Sequence, residues 1–193
     1  MDLKYKDYIS NAVNENISLQ KIIEKDISSQ IIIFAEIITN CLLSGNTIFW
    51  CGNGGSAADS QHMAAEFVVR FKSNRRALKS IALTTDTSII TSIVNDFSSK
   101  EIFSRQIEAV ANQGDILFSL STSGMSENII HAIKKCKENK ICTLSLLGNN
   151  GGTVGKISDF SIVVPSTITA RIQEMHIMIC HLLCEIIEDK LGF

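Results

Sequence analysis

The sequence contains a single proline in 193 residues, and neither its basic nor its acidic residues are concentrated in one region. With so little proline and no low-complexity tract, no linker between domains is indicated. Its 45% hydrophobic content is enough for one substantial core, so we expect a single domain over residues 1–193. The 18 basic and 20 acidic residues give a net charge of -2 and form no long block. This balance disfavours nucleic acid or an acidic membrane surface as the main partner.

Two further absences concern the cellular compartment. The first ten residues, MDLKYKDYIS, lack the apolar stretch of a signal peptide, and the longest apolar run, residues 31–38, is interrupted by Glu36. The six cysteines form no CxxC pair, which disfavours a zinc ribbon or a thioredoxin-type site. We therefore expect a cytoplasmic protein without a membrane segment, whose thiols are reduced and mostly buried.

The distribution of apolar residues predicts an α/β fold. Between Ile17 and Leu43 they recur every three or four positions, which predicts an amphipathic helix that ends at Gly45, within an N-terminal helical segment of about residues 1–45. Short β-branched runs then alternate with helical patterns. The predicted strands are Thr47–Cys51, Ser80–Leu83, Ile116–Leu120, Ile141–Leu146 and Phe160–Val164, and further helices are predicted from Ser56, Ser88 and Ser126. This alternation predicts three layers, with a parallel five-stranded sheet between helices.

The last segment, Ala170–Lys190, again has helical spacing. Together with the first helix it carries more apolar surface than one five-stranded sheet needs. We expect the two helices to form an interface between subunits. The alternative is that both helices close the core of a monomer.

A glycine-rich stretch, CGNGGS from Cys51 to Ser56, joins a predicted strand to a predicted helix. Ligands of parallel sheets bind at such junctions, and glycines let backbone amides approach a ligand at a helix N-terminus. Gly52, Gly54 and Ala57 fit the dinucleotide fingerprint G-x-G-x-x-A. That fingerprint requires an acidic residue about 20 positions on, however, whereas Asp86 follows the loop by about 30. This spacing therefore disfavours a dinucleotide as the ligand.

A second loop, STSGMS from Ser121 to Ser126, also precedes a predicted helix. Four hydroxyls around a helix N-terminus offer neutral donors to an anion, which the helix dipole also favours, so the loop predicts a phosphate site. A simple N-cap would explain one hydroxyl but hardly four. No G-x-x-x-x-G-K-[ST] motif occurs, which disfavours a nucleoside triphosphate as the ligand.

Two predicted helices carry groups that could transfer protons or bind a metal. His62 and Glu66 are four residues apart and share a helix face, with Arg70 one turn further. Gln173 and His181 are eight residues apart, about 12 Å along a helix, so they cannot bind one metal ion within a single chain. If both serve one site, two copies of the last helix must contribute. Otherwise Glu66 and Arg70 form a surface ion pair, and His181 is an interfacial or core histidine.

Together these residues resemble the SIS (sugar isomerase) domain family, most closely its isomerases of phosphorylated heptoses. The matching segments, in order, are CGNGGSAADSQHMAAEF, Asn95-Asp96-Phe97, IFSRQ, STSGMS and ARIQEMHIMICH. The resemblance implies a flavodoxin-like sheet and a homotetramer with sites shared between subunits. It also implies conversion of sedoheptulose 7-phosphate to D-glycero-D-manno-heptose 7-phosphate, the first step of nucleotide-activated heptose synthesis for lipopolysaccharide or capsule.

The same resemblance assigns roles to individual positions. Glu66 and His181 match a catalytic acid–base pair that acts through an enediol. Some members bind one zinc ion per subunit, through positions that match His62, Glu66, Gln173 and His181. Ala170 stands where some members have an aspartate, so no catalytic role of that aspartate is carried over. The positions that match substrate contacts are Asn53, Gly54, Gly55, Ser56, Glu66, Asn95, Asp96, Ser121, Thr122, Ser123, Ser126 and Gln173.

The main alternative is a non-catalytic SIS protein that binds a partner protein or senses a phosphosugar. Relatives that act in replication initiation keep RIQEMH but lack the helix glutamate and the later histidine. This chain has both Glu66 and His181, which favours the enzyme. An SIS domain acting on aminosugar phosphates is a third possibility, but the motif of the last helix indicates a heptose.

Overall fold

The computed structural model describes residues 3–193, which contain one all-parallel sheet with the strand order β2-β1-β3-β4-β5. The strands are β1 (Ile48–Gly52), β2 (Ser80–Ala82), β3 (Ile116–Ser121), β4 (Cys142–Leu147) and β5 (Phe160–Val163). Each predicted strand lies within one residue of the observed one at both ends. The order is that of flavodoxin-like folds, so the predicted fold class is confirmed.

The predicted helix starts at Ser56, Ser88, Ser126 and Ala170 each lie within one residue of the observed ones, but the helical prediction was incomplete elsewhere. They are α1 (Leu3–Ile22), α2 (Ser28–Leu43), α3 (Gly55–Val68), α4 (Thr87–Asp96), α5 (Ser104–Val110), α6 (Glu127–Glu138), α7 (Gly152–Ile157) and α8 (Thr169–Lys190). The first helix was predicted from Ile17 but extends back to Leu3; Met1 and Asp2 of the predicted N-terminal segment lie outside the described residues. The prediction omitted α5 and α7, which have seven and six residues and are too short to show a helical period.

A π-helical segment, Ile23–Ile27, connects α1 to α2. Its wider turn suits the spacing of Ile23, Ile27 and Ile31, which are four residues apart and all buried. By length and composition alone, the helical run Leu3–Leu43 could cross a membrane. From Leu19 onward, the buried apolar side chains of this run pack in the core against α8 and the sheet.

Two buried clusters lie on the two faces of the sheet. Alternate residues of the central strands enter different clusters: Trp50 and Phe118 pack with α2, α3 and α8, whereas Phe49 and Leu117 pack with α5 and α6. This alternation is expected of a sheet covered on both faces. The rings of Trp50 and Phe118 are 4.5 Å apart between centroids. The predicted three-layer architecture is therefore observed.

The six cysteines are all unpaired, and five of them are buried. Burial raises the pKa of Cys136 to about 12 and that of the half-buried Cys142 to about 11. The thiols are therefore protonated near neutral pH and act as small apolar side chains.

Candidate active site

The glycine loop (Gly52–Ser56) turns the end of β1 into the start of α3. Gly54 has a φ of +57°, a backbone conformation that glycine adopts readily, and its carbonyl accepts the N–H groups of Ala57 and Ala58. A Cβ atom on Gly52 would overlap the backbone of Ser56. The loop thus places the first N–H groups of α3 at the carboxyl edge of the sheet, with Ser56 buried and Asn53 exposed.

The serine loop (Ser121–Ser126) follows β3 at the same edge. The Ser121 hydroxyl accepts the Gly124 N–H at 3.1 Å and lies 3.4 Å from the Ser126 hydroxyl. Ser123 is exposed, and its hydroxyl accepts the Met125 N–H at 3.2 Å. The hydroxyls of Ser121 and Ser126 therefore face each other where α6 begins, whereas Ser123 lies at the rim and Thr122 is half-buried.

A pair of asparagines joins the glycine loop to the first turn of α6, directly after the serine loop. The side-chain amide of Asn53 donates to Asn128 at 3.0 Å, and the amide of Asn128 donates back at 2.8 Å. A cavity of about 340 Å³ opens beside this pair. Its lining consists of Asn53, Ser99, Lys100, Ser126, Glu127 and Asn128. Lys100, which forms an ion pair with Glu127 at 3.1 Å, brings a positive charge to the cavity.

The candidate acid–base groups lie further along α3, where it faces α8. Nε2 of His62 is 3.1 Å from a carboxylate oxygen of Glu66, whose side chain is 22% exposed. The rings of His62 and His181 meet edge to face with centroids 5.1 Å apart. One chain therefore brings three of the predicted site residues together at this point.

Asp59, one turn before His62 on the same helix, was missed by the sequence analysis. One of its carboxylate oxygens is buried and has no hydrogen-bond partner within the chain. Burial raises the pKa of this carboxyl group, while the nearby His62 and His181 act in the opposite direction. The spacing of Asp59, His62 and Glu66, three and four residues apart, could have indicated that all three share one face.

The segment after α3 supplies a second missed residue, Phe71. Its ring stacks on His181, and its backbone N–H donates to the carboxylate of Glu188 at 3.1 Å. Glu188 is only 4% exposed and also binds Arg75 at 2.7 Å. Burial disfavours the charged form of Glu188, but N–H donors from Ser73 and Arg75, with others of this segment, lower its pKa to about 2. A buried ion pair thus anchors the segment that contacts His181.

The remaining predicted site residues lie apart from this cluster. Gln173 contacts Gly55, close enough that a Cβ atom there would overlap its amide. Gly55 precedes His62 by about two helical turns. Asn95 and Asp96 are exposed and hydrogen-bonded to each other at 2.7 Å. Asp96 also lines a larger cavity of about 550 Å³ beside β2, which contains no residue of either loop or of α8.

The predicted zinc site can be compared with these positions. Imidazole nitrogens and carboxylate oxygens, as in His62, Glu66 and His181, are ordinary zinc ligands. Over residues 3–193, however, no three His, Cys, Asp or Glu side chains lie close enough together to hold a metal ion. Gln173 lies near the start of α3 rather than at this cluster. The donor types fit zinc, whereas a single chain does not supply a complete set.

Comparison with known proteins is consistent with these features. The family model of the SIS domain matches residues 10–148. Phosphoheptose isomerase of Clostridium acetobutylicum is 48% identical over 188 residues, 96% of each chain. Phosphoheptose isomerase 1 of Campylobacter jejuni is 50% identical over 173 residues, 89% of this chain and 93% of that protein.

A solved structure gives the same result for the three-dimensional fold. The phosphoheptose isomerase of Neisseria gonorrhoeae matches with a TM-score of 0.91 and 37% identity, over 96% of this chain and 99% of that one. The similarity thus extends from sequence to backbone and spans both loops and both site helices. The chain belongs to the SIS-domain family and, within it, to the phosphoheptose isomerases.

Proposed function

We propose that the protein is an aldose–ketose isomerase that converts sedoheptulose 7-phosphate to D-glycero-D-manno-heptose 7-phosphate. The observation that carries this proposal is the similarity, over nearly the whole chain, to proteins named phosphoheptose isomerase. The chemistry of the site is compatible with it. Hydroxyls and helix N-termini suit a phosphate group, and a carboxylate beside imidazoles suits proton transfer.

In this proposal the phosphate binds at the serine loop and the sugar extends toward the glycine loop. The serine loop offers neutral hydroxyl donors at the N-terminus of α6, where the helix dipole favours an anion. The exposed amide of Asn53 offers hydrogen bonds at the adjoining loop. Asn95 and Asp96 belong to the proposed substrate contacts through the family resemblance.

The reaction moves a carbonyl group from C2 to C1 of the sugar. A base removes a proton from C1 and returns it at C2 by way of a cis-enediol, while one sugar oxygen gains a proton and the other loses one. We assign Glu66 to the carbon atoms and His181 to the oxygens. The half-buried carboxylate of Glu66 is held by His62, and His62 also contacts His181, which keeps both groups in one cluster.

We further propose that zinc binds to His62, Glu66, Gln173 and His181, with the four ligands supplied by more than one subunit. The donor types support this, as does the position of Gln173 near Gly55, away from the other three. When bound, zinc would polarise the carbonyl group of the substrate.

A shared site requires an oligomer, and we propose a homotetramer. The face of α1 formed by Tyr5, Ile9, Val13 and Ile17 supports it, since these side chains are 61, 66, 50 and 43% exposed. Only Leu19 of α1 is buried. An apolar row at a spacing of four residues suits burial against another helix.

The proposal places the protein in the cytoplasm, where its unpaired cysteines stay reduced. Its product would enter the synthesis of nucleotide-activated heptose for lipopolysaccharide or capsule. A non-catalytic role in binding a partner or sensing a phosphosugar is less favoured, because Glu66 and His181 are both present and both contact His62.

The direct test incubates the purified protein with sedoheptulose 7-phosphate, with and without a chelator. We expect turnover by the wild type and a loss of about 100-fold or more in kcat for Glu66→Gln and His181→Ala. Glu185→Gln, which changes an exposed glutamate of α8, is the matched control and should retain activity. A folded, metal-loaded wild type that binds the sugar phosphate without converting it would support the sensing role instead.

Isotope exchange tests the chemical route. In heavy water, the enediol route carries solvent deuterium to C2 of the product. Complete absence of deuterium there would favour a hydride shift. A chelator that abolishes turnover, with recovery on addition of zinc, would support the metal assignment.

A further inference from the structure

The asparagine pair consists of two reciprocal hydrogen bonds between segments that are far apart in the sequence. Asn53 follows β1 and Asn128 lies in the first turn of α6, 75 residues later. Each side chain is both donor and acceptor for the other, at 3.0 and 2.8 Å. The pair borders the cavity that also contains Ser126 and Lys100. It therefore connects the glycine loop to the first turn of α6, which directly follows the serine loop at the proposed substrate site.

One end of the pair is fixed by the backbone of α6. The side-chain oxygen of Asn128 also accepts the N–H of Ile129 at 3.0 Å. The first N–H groups of a helix have no partner within the helix, so this oxygen satisfies one of them. If the Asn128 amide were rotated by 180°, its NH2 group would face the backbone N–H of Ile129, and two donors would meet. The Asn128 amide therefore has a single favourable orientation.

That orientation determines the orientation of Asn53. Asn128 presents its oxygen to the Asn53 NH2 group and its NH2 group to the Asn53 oxygen. If the Asn53 amide were rotated by 180°, the two oxygens would face each other, and so would the two NH2 groups. One N–H of Asn53 and one lone pair of its oxygen remain available. Their directions are thus fixed before a ligand arrives, and preorganisation of this kind favours binding.

We propose that Asn128 is a positioning residue of the phosphosugar site, which orients the amide of Asn53 for substrate. The inference rests on the proposed function, because only there does Asn53 contact a substrate. In a purely structural role, by contrast, the pair would stabilise the folded chain without affecting substrate binding. Asn128 acts through Asn53, so the two residues should be energetically coupled in substrate binding.

The test is a double-mutant cycle on the 193-residue chain. Steady-state kinetics with sedoheptulose 7-phosphate are measured for wild type, Asn128→Ala, Asn53→Ala and the double variant, beside thermal unfolding. We expect Asn128→Ala to raise KM about five- to tenfold with kcat within about twofold, as for the loss of one oriented hydrogen bond. In the Asn53→Ala background, the second substitution should change KM by less than about twofold.

Asn139→Ala provides the matched control, because Asn139 is exposed at the other end of α6. It should leave KM unchanged. Independent, multiplying effects of the two substitutions on KM would overturn the inference, as would a lowered unfolding temperature in Asn128→Ala with KM unchanged. In either case an active wild type leaves the proposed function standing. A folded wild type with no turnover would overturn both.

Discussion

The ring of Phe71 stacks on the imidazole of His181, with centroids 5.4 Å apart and planes inclined by 27°. The two residues come from different segments, one following α3 and one within α8. The backbone N–H of Phe71 is held by Glu188, two turns beyond His181 on α8. The position of the proposed catalytic imidazole therefore depends on a chain segment that is anchored to the same helix.

Replacing Phe71 with leucine should impair catalysis more than stability. Leucine keeps the site apolar but removes the flat surface that orients the imidazole, and small displacements of a catalytic group are costly. We expect kcat to fall about tenfold, with KM changed by less than about threefold, as measured by steady-state kinetics. Phe160→Leu, at an exposed position of β5, is the control. Equal kcat values for the two variants would contradict this role of Phe71.

Two glutamates of α8 bind the segment after α3 and should differ in their contribution to stability. Glu188 is buried with Arg75, whereas Glu185 forms an exposed ion pair with Lys72. Removing one partner of a buried pair leaves an uncompensated charge, so Glu188→Gln should lower the free energy of unfolding by about 3 to 5 kcal/mol. Glu185→Gln should change it by less than about 1 kcal/mol. Urea unfolding at pH 7 measures both values.

The contribution of Glu188 to the free energy of unfolding should also depend on pH. The folded-state pKa of about 2 lies below the ordinary value of 4.5, so the stabilisation is fully present above about pH 4.5 and is lost as the pH falls toward 2. The difference in unfolding free energy between wild type and Glu188→Gln should shrink over that interval. A difference that stays constant down to pH 2.5 would contradict the assignment.

His176 should produce a separate loss of stability as the pH falls, at higher pH values than the loss due to Glu188. It is fully buried, its Nε2–H donates to the carbonyl of Leu147, and burial lowers its pKa from 6.5 to about 4. The unfolded chain takes up a proton below pH 6.5 and the folded protein does so only near 4. Stability therefore falls by roughly 3 kcal/mol between these values. His176→Gln can keep the donor without titrating, and its unfolding free energy should fall less over the same interval.

Gly124 should be important for both stability and substrate affinity. Its φ is +65°, and a Cβ atom there would overlap the backbone carbonyl of Gly151. Alanine should therefore displace the serine loop, cost about 1 to 3 kcal/mol and raise KM. Gly45→Ala is the control, since Gly45 has a φ of +78° with nothing within 4 Å of the added atom. If both variants keep the wild-type KM, the geometry of the serine loop does not determine affinity.

The sheet could be predicted from the sequence because its signals are local. Runs such as Ile116–Ser121 are buried along their whole length and end at loop residues. The same locality made the two loops and the pair His62 and Glu66 recognisable. By contrast, the two short helices α5 and α7 have no periodicity to detect and owe their conformation to packing.

The supporting residues of the site could not be predicted in the same way. Phe71 and Glu188 are 117 residues apart, and Asn53 and Asn128 are 75 apart, so no spacing pattern connects them. The contact between Asn53 and Asn128 requires β1 and β3 to lie side by side, and that between Phe71 and Glu188 requires α3 to pack against α8. Asp59 is the exception, since its helical spacing to His62 was available in the sequence.

The π-helical segment Ile23–Ile27 has a consequence for how this protein could change. A π-helical turn accommodates one residue more than an α-helical turn, so deleting a residue there would leave a continuous α-helix. Because the wider turn absorbs its extra residue within one revolution, α1 and α2 would keep nearly the same relative orientation, and the core contacts of α2 would remain. Deleting a residue from the α-helical stretch between Ile17 and Ile23 would instead rotate the row that begins at Tyr5 by about 100° about the axis of α1. The position of a single-residue deletion relative to this segment would thus decide whether the exposed apolar face of α1 keeps its direction or is redirected.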